Sequence, residues 1–214
     1  MEIRSDIALK GDAWAKAIDE TVSKTRGDRA WSAAIENGDS KFFDTQWALF
    51  KVCLAIGILY DTQIAELPKT AETEDEGSRS IPRNMLAVHA ADINYFFNAA
   101  ILTTNTIDLN ETDRLYLAFS EEITEEEMEG EDIDTIRHGV SEEALGFDKI
   151  GFLIGFANYG VTKICEQIDP NINVTMENIS EFLIMSYQGE TPELQRMREV
   201  EDILDEDSDD NSDI

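Results

Sequence analysis

Few side chains in this sequence have the types and spacing that acid–base or metal chemistry needs. His89 precedes Asp92 by three residues, so both can lie on one face of a helix and form an imidazole–carboxylate pair. His138 follows Arg137 in a predicted turn, where a solvated histidine is the ordinary role. Cys53 lies in the most apolar stretch of the chain, where burial keeps a thiol protonated and inert. We therefore expect a structural His89–Asp92 pair, no catalytic residue, no metal site and no cofactor.

Three glycines in the segment GFLIGFANYG have a spacing that invites comparison with a phosphate-binding loop. These are Gly151, Gly155 and Gly160. They lack the Gly-Lys-Ser/Thr ending of such loops, and they fall inside a predicted helix. Because glycine has no Cβ, it allows a neighbouring backbone to approach closely. The pattern therefore predicts close helix packing and not phosphate binding.

Apolar residues recur at three- and four-residue steps along most of the chain, which is the periodicity of amphipathic helices. Asp44 and Ser141 are predicted N-terminal caps, and Gly189 is a predicted helix end. No strand alternation or hairpin signal is present. The predicted helices span residues 12–24, 44–60, 84–103, 111–119, 141–168 and 175–188. The predicted fold class is all-α, a compact multi-helix bundle with an acidic, partly disordered C-terminal tail.

Two stretches are predicted as loops because they lack this periodicity. Residues 25–41 contain two glycines and a mixed pattern, with room for one short helical turn. Residues 67–83 are polar and contain two prolines and a glycine, so they are expected to form a surface loop. Lys69, Arg79 and Arg83 in this loop come nearest to a basic patch, and we expect them to be solvated.

The last segment divides the chain into a predicted helical domain, residues 1–190, and an acidic tail, residues 191–214. The tail opens with Thr191, Pro192 and Glu193, which suit a helix start. The stripe that follows packs on the body as a terminal core helix, or it docks in a partner's groove. The candidate partner-binding residues are Leu194, Met197, Val200, Leu204, Asp205, Glu206 and Asp207.

The chain is strongly acidic, with 46 acids against 17 bases and a formal charge of −29. Residues 121–134 and 199–214 each hold nine acids and no base, and the other 184 residues carry only −11. Such blocks are solvated segments, or they bind a basic partner surface or imitate nucleic acid. Adaptation to high salt explains the pattern only in part, since it would spread acids over every exposed face. Phosphate repulsion excludes sequence-independent binding to DNA.

Composition and segment lengths favour a cytoplasmic protein. Two cysteines, Cys53 and Cys165, are too few for a disulfide framework and fit a reducing compartment. The first residues lack the apolar core of a signal peptide. The longest apolar run, residues 47–60, is shorter than the roughly 18 residues that a membrane span needs. We therefore expect no membrane association.

Residues 42–61, FFDTQWALFKVCLAIGILYD, resemble the early helix of the Dnd system-associated accessory proteins. The likeness is carried by an aromatic start, a leucine–phenylalanine pair, small residues and an isoleucine–glycine. These positions are Phe42, Phe43, Leu49, Phe50, Ala55, Ile56 and Gly57. A second helix over residues 81–101 and the segment Ala157-Asn158-Tyr159-Gly160 extend the resemblance over residues 40–168. Phe156 stands where the family often has glutamate.

The resemblance implies a place beside DNA phosphorothioation and restriction genes in antiviral defence. The family implies no known chemistry, so no functional residue is carried over. This chain departs from the pattern through the acidic residues 121–134 and its acidic tail.

Three functions follow from these observations. The first is a non-enzymatic accessory or adaptor protein of a phosphorothioation-dependent restriction or antiviral defence system. Its expected partner is a larger nuclease or ATPase, with no direct contact to nucleic acid. The second is an acidic DNA mimic that inhibits a DNA-binding or restriction enzyme. The third is a metal-dependent hydrolase using inward-facing acids such as Asp92 or Asp148.

Overall fold

The computed structural model describes residues 6–23, 41–70, 79–119 and 140–197. Within these ranges the chain forms eight complete helices, two three-residue strands and a helical segment at residues 192–197. The predicted all-α class is therefore confirmed. The elements are β1 (Ile7–Leu9), α1 (Asp12–Thr21), α2 (Gln46–Leu59), β2 (Arg79–Ile81), α3 (Arg83–Val88), α4 (Ala90–Thr103), α5 (Glu111–Phe119), α6 (Glu142–Leu145), α7 (Lys149–Glu166) and α8 (Ile172–Gln188).

The chain divides into two units, Met1–Cys165 and Glu166–Ile214. The first holds both strands and α1 to α7, and the second holds α8 and the helical segment at 192–197. The predicted boundary at residue 190 stays a prediction. Both acid-only blocks lie outside the described residues, as do most of the predicted loop at 25–41 and the end of the tail.

Helix α2 is apolar nearly all round, as its sequence predicts, and seven of its fourteen residues are buried. Its N-terminal cap is Thr45, whose hydroxyl accepts from the Ala48 N–H at 3.1 Å, and not the predicted Asp44. Trp47 and Phe50 stack within it, with ring centroids 5.7 Å apart. Burial of these side chains supplies much of the hydrophobic stabilisation of the unit.

Two glycines bring α2 and α7 into close contact. A Cβ at Gly57 would overlap the carbonyl of Phe156, and a Cβ at Gly160 would overlap the carbonyl of Cys53. The predicted role of Gly160 in close helix packing is thus confirmed. A Cβ at Gly155 would instead meet the terminal amide of Gln63 at 3.0 Å.

Gly151 was also predicted to support helix packing, and for this residue the prediction is wrong. A Cβ there would meet the carboxylate of Asp148, within the first turn of α7. The predicted helix over residues 141–168 is in fact two helices. Ser141 caps only the short α6, and Asp148 starts α7 by accepting from the Gly151 N–H at 3.0 Å. A second local cap therefore restarts the helix.

The predicted surface loop at residues 67–83 is wrong at its C-terminal end. Strands β1 and β2 pair antiparallel, with Ile7 opposite Ile81, and both isoleucines are buried. Helix α3 begins two residues later, at Arg83. Strands of three residues are too short to produce the alternation by which a strand is recognised in sequence.

In the second unit, α8 starts three residues before the predicted position. The Asn171 side chain caps it by accepting from the Asn173 N–H at 3.0 Å. Gly189 ends it with φ of 69°, in the left-handed region where glycine is favoured, as predicted. Pro192 then begins the helical segment at 192–197.

Candidate interaction surfaces

The predicted docking residues that the structure describes differ in their exposure to solvent. Leu194 is only 6% exposed, whereas Met197 is 38% exposed. The Leu194 N–H lies 3.5 Å from the hydroxyl of Thr191, which is also buried. Leu194 therefore packs as an interior residue, and Met197 is available at the surface. Val200, Leu204, Asp205, Glu206 and Asp207 lie outside the described residues.

Helix α8 presents a second surface, which the sequence analysis did not single out. Ile184 and Tyr187 are 57% and 90% exposed, although both are large and apolar or aromatic. Ile179, on the opposite side of the helix, is fully buried. The spacing that places these residues together is visible in the sequence, because Ser180, Ile184 and Tyr187 lie on one side of the predicted helix.

An open, nearly flat patch lies along this exposed side of α8. Glu177 and Glu181 lie beside Ile184 in it, so an apolar centre is bordered by carboxylates. We call this surface the α8 face. Its residues are Met176, Glu177, Ser180, Glu181, Ile184, Met185 and Tyr187.

The first unit also exposes large apolar side chains on helices. Tyr95 and Leu102, seven residues apart on α4, are 73% and 40% exposed. Leu115 and Phe119, four residues apart on α5, are 46% and 40% exposed. Both spacings place the two residues of a pair on the same side of their helix.

The His89–Asp92 pair forms as predicted. His89 Nδ1 lies 3.5 Å from Asp92 Oδ2, and Lys51 Nζ lies 3.4 Å from the same oxygen. The His89 imidazole stacks on the indole of Trp47, with centroids 4.9 Å apart. These contacts tie the junction of α3 and α4 to α2, which is a structural role. His138 lies outside the described residues.

Desolvation shifts the pKa values of two groups, the buried Cys53 and the half-buried Lys149. Burial raises the pKa of the Cys53 thiol, as the sequence predicts, and the negative charge of a Cys165 thiolate would raise it further. The low reactivity of Cys53 stays a prediction. Burial lowers the pKa of Lys149. Its ammonium donates to the carbonyl of Leu117 at 3.0 Å and lies 4.8 Å from the centroid of the Phe97 ring. Lys149 therefore holds α7 against its neighbours.

A polar cleft of about 360 Å³ lies between α1, the start of α2 and β2. Asp19 and Arg79 line it and form a bidentate pair at 2.8 and 3.0 Å, so Arg79 is not the solvated loop residue that the sequence predicts. Trp47 also lines the cleft, and its buried Nε1 has no acceptor among the described residues. Because Asp19 neutralises Arg79, the cleft offers little attraction to an anionic ligand.

Within residues 6–23, 41–70, 79–119 and 140–197, no group of three histidine, cysteine, aspartate or glutamate side chains is placed to hold a metal ion. Among the helices that the structure describes, none combines the length and the apolar character that crossing a bilayer requires.

No family model, curated protein or solved structure matches this chain. The resemblance to the Dnd system-associated accessory proteins therefore stays a prediction.

Proposed function

We propose that this chain is a non-enzymatic accessory or adaptor protein that acts through protein–protein contacts. We place it in a phosphorothioation-dependent restriction or antiviral defence system. The family resemblance over residues 40–168 supports the defence assignment. The observation that carries the binding role is the exposure of large apolar side chains on helices of both units.

Exposed apolar side chains at helical spacing favour a binding surface over an ordinary solvated face. Single exposed apolar residues are normal on soluble proteins, but grouped ones mark interaction sites. Tyr95 with Leu102, and Ile184 with Tyr187, are such groups. Tyrosine is common among the residues that dominate binding energy, since it combines a large apolar ring with a hydroxyl.

The acidic end of the chain indicates that the partner has a basic surface. Residues 199–214 carry nine acids and no base, and they begin two residues after the exposed Met197. We expect Met197 to anchor the segment on a larger nuclease or ATPase while the acids contact that partner's basic DNA channel. Electrostatic attraction of this kind speeds association and orients the partners.

An affinity pull-down from the native host tests the proposal. The baits are the full chain and a truncation to residues 1–197, which keeps the buried Thr191 and Leu194 and removes the acidic end. We expect restriction or phosphorothioation proteins with the full chain and at least tenfold less with the truncation. Equal recovery of those proteins by both baits would refute the role of the acidic end. Recovery of only unrelated proteins would refute the defence assignment.

The alternative is an acidic inhibitor that imitates DNA, and the charge of −29 favours it. A mimic binds through many ion pairs, so its affinity should fall steeply as salt rises. An apolar anchor resists salt. Measuring the partner's affinity at ~0.05 and ~0.5 M NaCl for the full chain and for the truncation to residues 1–197 distinguishes the two. The accessory protein should keep a salt-resistant affinity in the truncated chain, which retains the apolar anchor, whereas a mimic that binds through its acidic end should lose nearly all of its binding both with salt and with the truncation.

A further inference from the structure

We infer that the α8 face binds a basic amphipathic helix of a partner protein. This inference rests on the proposed function and names a surface and a class of partner for it. It is independent of residues 198–214, because every residue of the α8 face lies in the described part of the second unit.

The apolar part of the α8 face suits a helix laid along it. Met176 and Tyr187 are eleven residues apart, so the face extends about 16 Å at 1.5 Å per residue, or three helical turns. Ile184 and Tyr187 supply exposed apolar area, and Met176 and Met185 lie beside them on the same open patch. Methionine side chains adapt their shape, which is why they are common where helices are bound in grooves.

The charged part of the face selects a basic partner. Glu177 and Glu181 border the apolar centre, and α8 contains neither lysine nor arginine. The whole second unit holds fifteen acids and two bases. Lysine or arginine flanking the apolar stripe of a bound helix would therefore meet carboxylates on the α8 face, and the surrounding field would attract it.

The same charges argue against other occupants. A second copy of this chain would bring Glu177 and Glu181 of one α8 close to those of the other, and like charges at an interface are unfavourable. Nucleic acid and anionic membranes carry negative charge and would be repelled for the same reason.

The test uses the full chain and a synthetic 18-residue helical peptide of leucine and lysine, arranged with one apolar and one basic side. Fluorescence anisotropy gives its Kd for four proteins: the natural chain, Ile184→Ala with Tyr187→Ala, Glu177→Gln with Glu181→Gln, and Val88→Ala. Val88 is the matched control because it is an apolar side chain, 80% exposed, on a helix of the first unit and belongs to neither of the proposed binding surfaces. A scrambled peptide of the same composition controls for charge alone.

We expect the Ile184/Tyr187 variant to bind the peptide at least tenfold more weakly. We expect the Glu177/Glu181 variant to bind severalfold more weakly and with a smaller dependence on salt. Val88→Ala should bind like the natural chain, and the scrambled peptide should bind weakly to all four. Because the substituted side chains are exposed, the circular dichroism spectra of all four proteins should coincide.

Three results would overturn the inference. The first is equal binding of both peptides, or equal loss in the Val88 variant, which would show that binding is not specific to the α8 face. The second is a dimer in sedimentation velocity that the Ile184/Tyr187 variant abolishes, which would assign the face to a second copy. The third is an Ile184/Tyr187 variant that loses the peptide and still recovers defence proteins from the host, in which case only this inference falls. If the peptide binds as expected and no defence protein is recovered, only the proposed function falls.

Discussion

Replacing Gly160 by alanine adds one methyl group and thereby tests the role of this glycine in the packing of α7 against α2. A Cβ at this position would overlap the carbonyl of Cys53 on α2, and backbone cannot move aside as a flexible side chain can. We therefore expect Gly160→Ala to lower the free energy of unfolding by about 1–3 kcal/mol or more, the ordinary cost of overpacking. Urea unfolding followed by circular dichroism measures the loss.

Gly155 provides the control on the same helix. There the added methyl group would meet the flexible end of Gln63, and alanine favours helix over glycine by about 0.5–1 kcal/mol. We expect Gly155→Ala to change stability by less than Gly160→Ala. Equal losses would mean that the close approach of α2 and α7 is not what Gly160 provides.

Cys53 yields a second prediction at the scale of one residue. Burial raises the pKa of its thiol, so at a given pH less thiolate is present than for an ordinary cysteine. We expect Ellman's reagent to modify only Cys165 in the folded protein and both cysteines in guanidinium. In Cys165→Ser, no thiol should react before unfolding. Rapid reaction of that variant at pH 7 to 9 would contradict a buried, protonated Cys53.

For single residues, the sequence predicts the role of a side chain when one property, such as apolar surroundings or helical spacing, determines that role. The burial and the raised pKa of Cys53 follow from its apolar surroundings, and the His89–Asp92 pair follows from helical spacing. The sequence does not predict the role of a side chain where two neighbouring residues can each fill it. Asp44 and Thr45 are adjacent and both can cap a helix, and only the backbone geometry, with Thr45 at ψ of 157°, decides between them.

Among the elements, the turn between α4 and α5 depends on one side chain. The Arg114 guanidinium donates four hydrogen bonds to backbone carbonyls, at 2.7 to 2.9 Å. Their acceptors are Ile101, Thr104, Ile107 and Leu109. Arg114→Met keeps much of the side-chain volume and leaves these carbonyls unpaired, which we expect to cost on the order of 3 kcal/mol of unfolding free energy.

Arg79→Met is the matched control. Arg79 also makes a bidentate contact, but its partner Asp19 is 47% exposed, and such surface pairs contribute about 0–1 kcal/mol. Thermal and urea unfolding of both variants give the comparison. If Arg79→Met lowers the free energy of unfolding as much as Arg114→Met does, the hydrogen bonds of Arg114 stabilise the protein no more than a surface ion pair.

The restart of the helix at α7 gives the next prediction. Asp148 accepts from the Gly151 N–H at 3.0 Å, and loss of such a cap costs about 1 kcal/mol. We expect Asp148→Ala to lower stability by that amount and Asp148→Asn to retain most of it, since asparagine also caps helices. A large loss of stability in the asparagine variant would argue for a role other than capping.

Helix positions follow well from apolar periodicity, and helix interruptions do not. The bounds of α5 are Glu111–Phe119, as predicted, because its pattern is isolated between polar segments. The break at residues 146–148 is invisible to periodicity, since Phe147 and Ile150 continue the apolar pattern across it. The sequence does not predict the α8 face for a related reason. A sequence pattern shows which residues are apolar, but only the packing of the folded chain determines which of them stay exposed.

At the scale of the whole molecule, charge is the dominant property. With 46 acids against 17 bases, folding concentrates negative charge, and self-repulsion destabilises the folded state. Added salt screens this repulsion, since the Debye length falls from about 30 Å at 0.01 M to about 10 Å at 0.1 M. We therefore expect the Tm to rise by several degrees between ~0.01 and ~0.3 M NaCl and then to level off.

The truncation to residues 1–197 shows where this repulsion originates. Residues 198–214 carry nine acids and one base, so their removal lowers the formal charge from −29 to −21. If their charge acts on the folded units, the truncated chain should show a higher Tm at low salt and a smaller rise with salt. An identical salt response in both chains would place the repulsion within residues 1–197, and the acidic end would then serve binding alone. An unchanged Tm for the full chain across the salt series would refute the charge argument itself.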